Sequence, residues 1–289
     1  MSEMLNELQN EKDRMRTQLI IAGEYEVDGG MITYAELIRG LKNRFMRKIK
    51  FGDSTWENAP YIDISRHEDC TYMFDDCKNL KTFQPLNTSR VITMFGMFLN
   101  CSSLEIAPEM DTSNVKIMRN MFEGCVNLTS VPLYDTSNVT DMSFMFRYCE
   151  NLTTIPQFDT SKLESIGYMF EGCVNLTSVP ELNGEKIGAG GNVFEGCVNL
   201  TDFGGFKNYG QEELMFTTAA GGANGNNDIY KDCEKLTYSS LMNIINNLYD
   251  RKKAGYDVIN LIFHENAFSK LSSKDIAIAT NKGWTLSYQ

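Results

Sequence analysis

The sequence predicts an α+β solenoid: a leucine-rich-repeat-like, right-handed stack of about eight 24-residue strand–helix units, with an N-terminal helical unit and a C-terminal α/β cap. Three observations carry that expectation. Cys77, Cys101, Cys125, Cys149, Cys173 and Cys197 stand 24 residues apart, and Cys233 follows after 36. The stretch MFEGCVNLTSVP begins at Met121 and again at Met169, 48 positions on, which is two periods. The shared pattern, M-F-x-x-C-x-x-L-x-x-V-P-x-hydrophobic-D-T-S-x-V-x-x-M, is too thin to shield its own apolar face, so copies acquire an interior only by stacking.

The elements follow in order. Residues 1–52 read as a helical attachment or oligomerisation unit, in which Leu5, Leu8, Met15 and Leu19 take heptad spacing up to residue 22. VDGGM is a glycine turn, and Thr33 with Glu36 makes a capping box for a second helix in ITYAELIRGLKNRF. The basic stretch KNRFMRKIK reads as a solvated face. Residues 53–236 are the solenoid, whose phase reaches back through Trp56, Ala59, Pro60, Ile62, Asp63 and Ser65, with Asp53 in the cysteine slot.

Within a unit, Leu128, Val131, Pro132 and Tyr134 make a strand kept short by a proline that cannot donate to a ladder. Asp135, Thr136 and Ser137 suit the N-cap of a short helix beginning near Asn138. Val139, Met142, Met145 and Phe146 then form the buried face of about two helical turns, closed by Cys149. Neighbouring strands are expected about 4.8 Å apart, in a stack on the order of 40 Å long with its strands on the concave side. A glycine-rich insertion at about 208–228 precedes IYKDCEKL, which restores the phase. Residues 237–289 are the cap: an amphipathic helix through Leu241, Ile244, Ile245 and Leu248, then a strand, a short helix ended by Gly283, and a terminal strand whose Trp284 covers the last repeat.

Residues 1–50 carry +1 and the remainder −12 of the net charge of −11, which disfavours nucleic acid and anionic membrane as partners. No run of 18 apolar residues exists, so no membrane insertion is expected. The opening MSEMLNELQNEKDRMR lacks the apolar core of a signal peptide, and synthesis and folding in a cytoplasm are expected. The eight cysteines form no short-spaced pairs, and with only His67 and His264 beside them they fit neither a disulfide framework nor a zinc site. They are read as small buried side chains, and Cys70 agrees by occupying the slot of Met94, Met118 and Met142. GAGGNV is no dinucleotide fingerprint, and neither G-x-S-x-G nor H-E-x-x-H occurs; the chain is expected to be non-catalytic, without cofactor or metal.

The outward strand positions are the candidate binding face. They are Lys81, Thr82, Glu105, Thr129, Ser130, Thr153, Thr154, Thr177, Ser178, Thr201 and Asp202, with Glu109, Gln157 and Glu181 one strand step on. Such a stripe of hydroxyls with occasional acids suits hydrogen bonding to a glycan or a protein. The plainer alternative is solvated residues chosen for β-propensity alone.

DTSNVTDMSFMFRYCENLTTIPQFDTS resembles the bacterial leucine-rich-like surface repeats of BspA type, in which DTSNVTNMSxMFxxCxxL recurs; the likeness covers about 180 of the 289 residues. The opening LNELQNEKDRMRTQLIIAGEYEVDGGMITYAELIRGL and the closing SLMNIINNLYD and LSSKDIAIATNKGWTL are similar to tail-associated and repeat proteins of phages that infect Firmicutes. What this resemblance implies is a virion component held to other tail proteins by residues 1–50, as a homo-oligomer such as a trimer, with the repeats displayed for receptor binding. The alternative it implies is a bacterial cell-surface adhesin. The family supplies no binding residues to carry over.

Overall fold

Parallel pairing at the cysteine period builds the repeats in the computed structural model. The chain divides into two units, Met1–Ile49 and Lys50–Gln289, and the structure describes residues 56–59, 64–187, 191–209 and 226–289. The heptad segment, the Thr33/Glu36 capping box, KNRFMRKIK, and Asp53, Pro60, Ile62 and Asp63 lie outside the described residues.

Two columns of pairing run along the stack. In the first, β1 (Asn58–Ala59) pairs with β2 (Thr82–Phe83), Ile106 bridges Ser130, Thr154 bridges Ser178, and β3 (Ser178–Val179) pairs with β5 (Asp202–Phe203). In the second, Asp69, Thr93, Ile117, Asp141 and Ser165 bridge in series. β4 (Leu182–Asn183) and β6 (Phe206–Lys207) add a further parallel pair. Every partner is 24 residues from its neighbour, so the register is that of the sequence repeat. Strands this short are what Pro108, Pro132, Pro156 and Pro180 permit, since each removes an N–H just past the paired residues.

The expected strand–helix unit is corrected on its second half: residues 138–149 are a string of turns, not a helix. Backbone donors explain why. In an α-helix each N–H returns to the carbonyl four residues back. Here alternate donors leave the unit: the N–H groups of Met142, Phe144, Phe146 and Tyr148 reach the carbonyls of Ser165, Gly167, Met169 and Glu171 in the next repeat at 2.9, 2.9, 3.0 and 2.7 Å. The donors between them close three-residue turns, with Met145, Arg147 and Cys149 bonding to Met142, Phe144 and Phe146. That alternation requires left-handed backbone at two sites per repeat, seen as φ of +60° at Phe144, +58° at Tyr148, +59° at Tyr168 and +73° at Gly172. The side chains expected on the inner face remain there: Val139, Met142, Met145 and Phe146 are fully buried.

The interior is a set of columns. Phe74, Phe98, Phe122, Phe146, Phe170 and Phe194 stack with centroids 5.4–5.9 Å apart and planes within 10°. The column continues through Tyr230, 6.2 Å from Phe194, and Phe263, 5.1 Å further. Offset stacking of rings this buried adds to the transfer free energy of each side chain. On the turn side, Arg147 joins three repeats, its guanidinium bidentate on Glu171 at 2.6 and 3.0 Å and 3.3 Å from Glu123.

The D-T-S segment caps turns instead of a helix. Asp135 accepts from the Ser137 N–H and hydroxyl at 3.1 and 2.7 Å, while Thr136 donates to the Asp159 carbonyl of the next repeat at 2.8 Å. Asn138 reaches back to the Ser113 carbonyl at 2.8 Å. The serine donors hold Asp111, Asp135 and Asp159 below the ordinary carboxyl value of 3.8. A depressed folded value means that the unfolded chain binds more protons as the pH falls. The stabilisation is therefore complete above 3.8 and is lost as the pH drops through the folded values. Acid titration followed by circular dichroism is expected to show a melting temperature that declines below pH 3.8, and less steeply in Asp135→Asn.

At the C-terminal end, β7 (Asn226–Tyr230), β8 (Ile259–Phe263) and β9 (Trp284–Tyr288) form a parallel sheet in that order. Between them lie α1 (Tyr238–Asn247), α2 (Arg251–Ala254), α3 (Glu265–Phe268) and α4 (Ser273–Asn281). The single expected amphipathic helix is thus broken at Leu248, whose extended backbone bridges Tyr209. Ser272 and Asp275 form a capping box at the start of α4, and Gly283 follows its end at φ +84°. Trp284 is fully buried, its indole N–H on the Tyr249 carbonyl at 2.9 Å and its ring 6.3 Å from that of Tyr209. The insertion expected at about 208–228 is shorter at both ends, because Tyr209 is buried on Phe206 and Trp284 and residues from Asn226 belong to β7.

Candidate strand-face recognition site

The first pairing column sets the candidate face. Two successive outward residues precede each inward one, and Ala107, Ile155, Val179 and Phe203 are buried. Thr82, Glu105, Glu109, Thr129, Ser130, Thr153, Thr154, Gln157, Thr177 and Glu181 are exposed, as are Lys81 and Asp202, while Ser178 and Thr201 are half-buried. The structure brings these residues together as three columns spaced by the repeat, since Ser178 pairs with both Thr154 and Asp202, and Ser130 with Ile106.

The hydroxyls in this face are partly occupied. Thr129 Oγ1 donates to the Glu105 carbonyl at 2.9 Å, Thr177 Oγ1 to Thr153 at 3.1 Å, and Thr201 Oγ1 to Thr177 at 3.1 Å. Gln157 Nε2 donates to the Glu181 carbonyl at 2.8 Å, and Thr82 donates to the Asn58 side chain. These four threonines therefore tie their repeats to the ones before, a role that the stripe pattern alone did not reveal. At the far end, Asn247 donates to Glu181 at 3.2 Å and Ser240 to Asp202 at 3.1 Å, joining the cap to the face.

Two members were missed. Ile106 is 64% and Leu133 69% exposed, and they occupy the same columns as Ser130 and Glu109. Reading every repeat at those columns, instead of selecting polar residues, would have found them.

The thiols are no part of a reactive site. All eight are buried and free. The Sγ of Cys101, Cys125, Cys149, Cys173 and Cys197 donates to the carbonyls of Phe74, Phe98, Phe122, Phe146 and Phe170 at 3.0–3.1 Å. This accounts for cysteine in preference to another small residue: it fills the space and supplies a donor to the previous repeat. Burial pushes up the thiols of Cys101, Cys125, Cys149, Cys173, Cys197 and Cys233, and that of Cys70 to about 12 with Asp69 adding to the effect, and a raised value removes the thiolate that reacts. Ellman's reagent is expected to label none of the eight within minutes in native protein and all of them in guanidinium. Rapid native labelling of six would overturn the enclosed column.

A family model described as Mycoplasma protein of unknown function, DUF285, matches residues 41–130, 68–181 and 106–202, together more than half of the chain and most of the repeat region. A leucine-rich repeat protein from Bacteroides ovatus, solved by crystallography, is 17% identical with a TM-score of 0.31, over 75% of this chain and 54% of its own. The chain thus spans about half of that protein's length. Comparison with curated proteins gives no match. The matched segments carry the repeats that build the strand face, and the chain belongs to the DUF285 family.

Proposed function

We propose that the chain is a non-catalytic recognition protein that displays its strand face to a protein or glycan on another surface. The observation that carries this reading is the in-register exposure of three columns of side chains on one face, backed by buried residues that fix their positions. A rigid, repeat-spaced face of this kind suits an extended partner. The resemblance of the repeats to the BspA-type surface repeats supports a bacterial surface setting. The more specific reading is a phage tail or baseplate protein engaged in host attachment, anchored to other tail proteins through residues 1–50. It rests on the resemblance of the two flanking segments alone. The alternative carrier is the bacterial cell itself, as an adhesin.

Triple replacement of Thr129, Thr153 and Thr177 with arginine fills the face with long cations. With the melting temperature checked to exclude misfolding, adsorption of the purified chain to host cells is expected to fall by about tenfold. Unchanged adsorption removes the reading. Electron microscopy of phage particles carrying a gold-labelled tag separates the carriers: label at the tail supports the virion, and label only on cells supports the adhesin.

A further inference from the structure

We infer that the strand face docks a cationic, partly apolar stretch of protein, with Ile106 and Leu133 as its apolar centre and Glu105 and Glu109 as its charged rim. This rests on the reading of that face as the contact surface and adds the chemistry of what it contacts.

Three independent features converge. Leu133 at 69% and Ile106 at 64% are the most exposed large hydrophobic side chains among the described residues. They lie in adjacent repeats, since Ile106 pairs with Ser130 and Leu133 follows three residues on, about 10 Å along an extended chain. An apolar centre inside a polar rim is the usual anatomy of a protein contact. Charge is the second feature. Between Glu105 and Asp202 the three columns carry four carboxylates, Glu105, Glu109, Glu181 and Asp202, and no lysine or arginine. Those of Glu181 and Asp202 are engaged by the cap. The side chains of Glu105 and Glu109 carry no such bond among the described residues, and they flank Ile106 in sequence.

Hydrogen-bond capacity is the third feature, and it selects the partner. The donors of Thr129, Thr177, Thr201 and Gln157 are spent on carbonyls of neighbouring repeats. What these residues turn outward is oxygen lone pairs. A face rich in acceptors and poor in donors matches a partner that only donates, and lysine and arginine have donors and no acceptors. Anionic sugars and phosphates need donors, and those of Thr129, Thr177, Thr201 and Gln157 are already engaged. Complementary charge also steers encounter and makes it salt-dependent.

The test uses the full chain and fluorescence anisotropy with three labelled eight-residue peptides, alternating lysine with leucine, lysine with serine, and glutamate with leucine. Unlabelled chitotetraose is titrated in parallel by calorimetry. The lysine–leucine peptide is expected to bind best and to weaken as salt is raised. Its affinity is expected to drop about tenfold in Ile106→Ser with Leu133→Ser and again in Glu105→Gln with Glu109→Gln. All four positions are on the surface, so the melting temperature serves as the folding control. Binding unchanged by either pair, or a glutamate–leucine peptide that binds as well, overturns the inference. If chitotetraose binds and Thr153→Arg abolishes it while the lysine–leucine peptide does not bind, the partner chemistry fails and the face stands. If no probe depends on the face, both readings fall.

Discussion

Phe146→Ala is expected to destabilise the stack by about 3–5 kcal/mol, the range for removing a large buried aromatic and leaving a cavity. Phe146 is fully buried and stacked on both sides, with Phe122 at 5.9 Å and Phe170 at 5.7 Å, so its loss opens a gap in the middle of the column. Flanking repeats cannot collapse into that gap, because alternate backbone donors hold them in register across it. Guanidinium unfolding monitored by tyrosine and tryptophan fluorescence measures the change. Stability in a stacked array is a sum of unit and neighbour terms, so a central break costs more than a terminal one. Phe74→Ala, whose ring has one column neighbour among the described residues, Phe98 at 5.4 Å, is accordingly expected to lose less. A loss below about 1 kcal/mol at Phe146 would mean that the column is not a shared core.

Gly172→Ala is expected to cost about 3 kcal/mol, from two sources that a double-mutant cycle separates. Its backbone lies at φ +73°, where a Cβ is strained. The added methyl would also sit 2.4 Å from Cδ1 and 2.9 Å from Cε1 of Tyr148, the residue at the same slot one repeat earlier. The arrangement recurs: a Cβ on Gly96 would meet Tyr72, and one on Gly124 would meet Asn100. In these three pairs a side chain in a left-handed slot lies over the glycine at the same slot of the next unit. Tyr148→Gly removes the overlap and leaves only the conformational part, so Gly172→Ala in that background is expected to cost about 1–2 kcal/mol. Additive effects in the two backgrounds would show that the ring moves aside without penalty.

Much of the fold was legible in the spacing of particular residues. Cys77 to Cys197 announced the period, and the structure keeps it in both pairing columns of the repeats. Cys70 in the methionine slot was readable as buried, and its N–H bonds to the Thr93 carbonyl as those of Met94 and Met118 bond to Ile117 and Asp141. The turn segment was misread because Val139, Met142, Met145 and Phe146 have a spacing that a helix and a string of turns both satisfy. The missed signal was Gly124, Gly172 and Gly196, together with Asn100, Asn120 and Asn192, at positions where a helix has no use for them. The candidate face was legible as a stripe, but the engagement of its hydroxyls was not.

The sequence by itself determined which side chains coincide, because identical spacing puts equivalent residues in one column whatever the local backbone does. Only the tertiary structure decided where each donor goes. The carbonyl that captures the N–H of Phe144, the thiol of Cys149 or the hydroxyl of Thr129 lies more than 20 residues away in the chain. Stacking brings it within bonding distance, and no local window of sequence contains both partners of that competition.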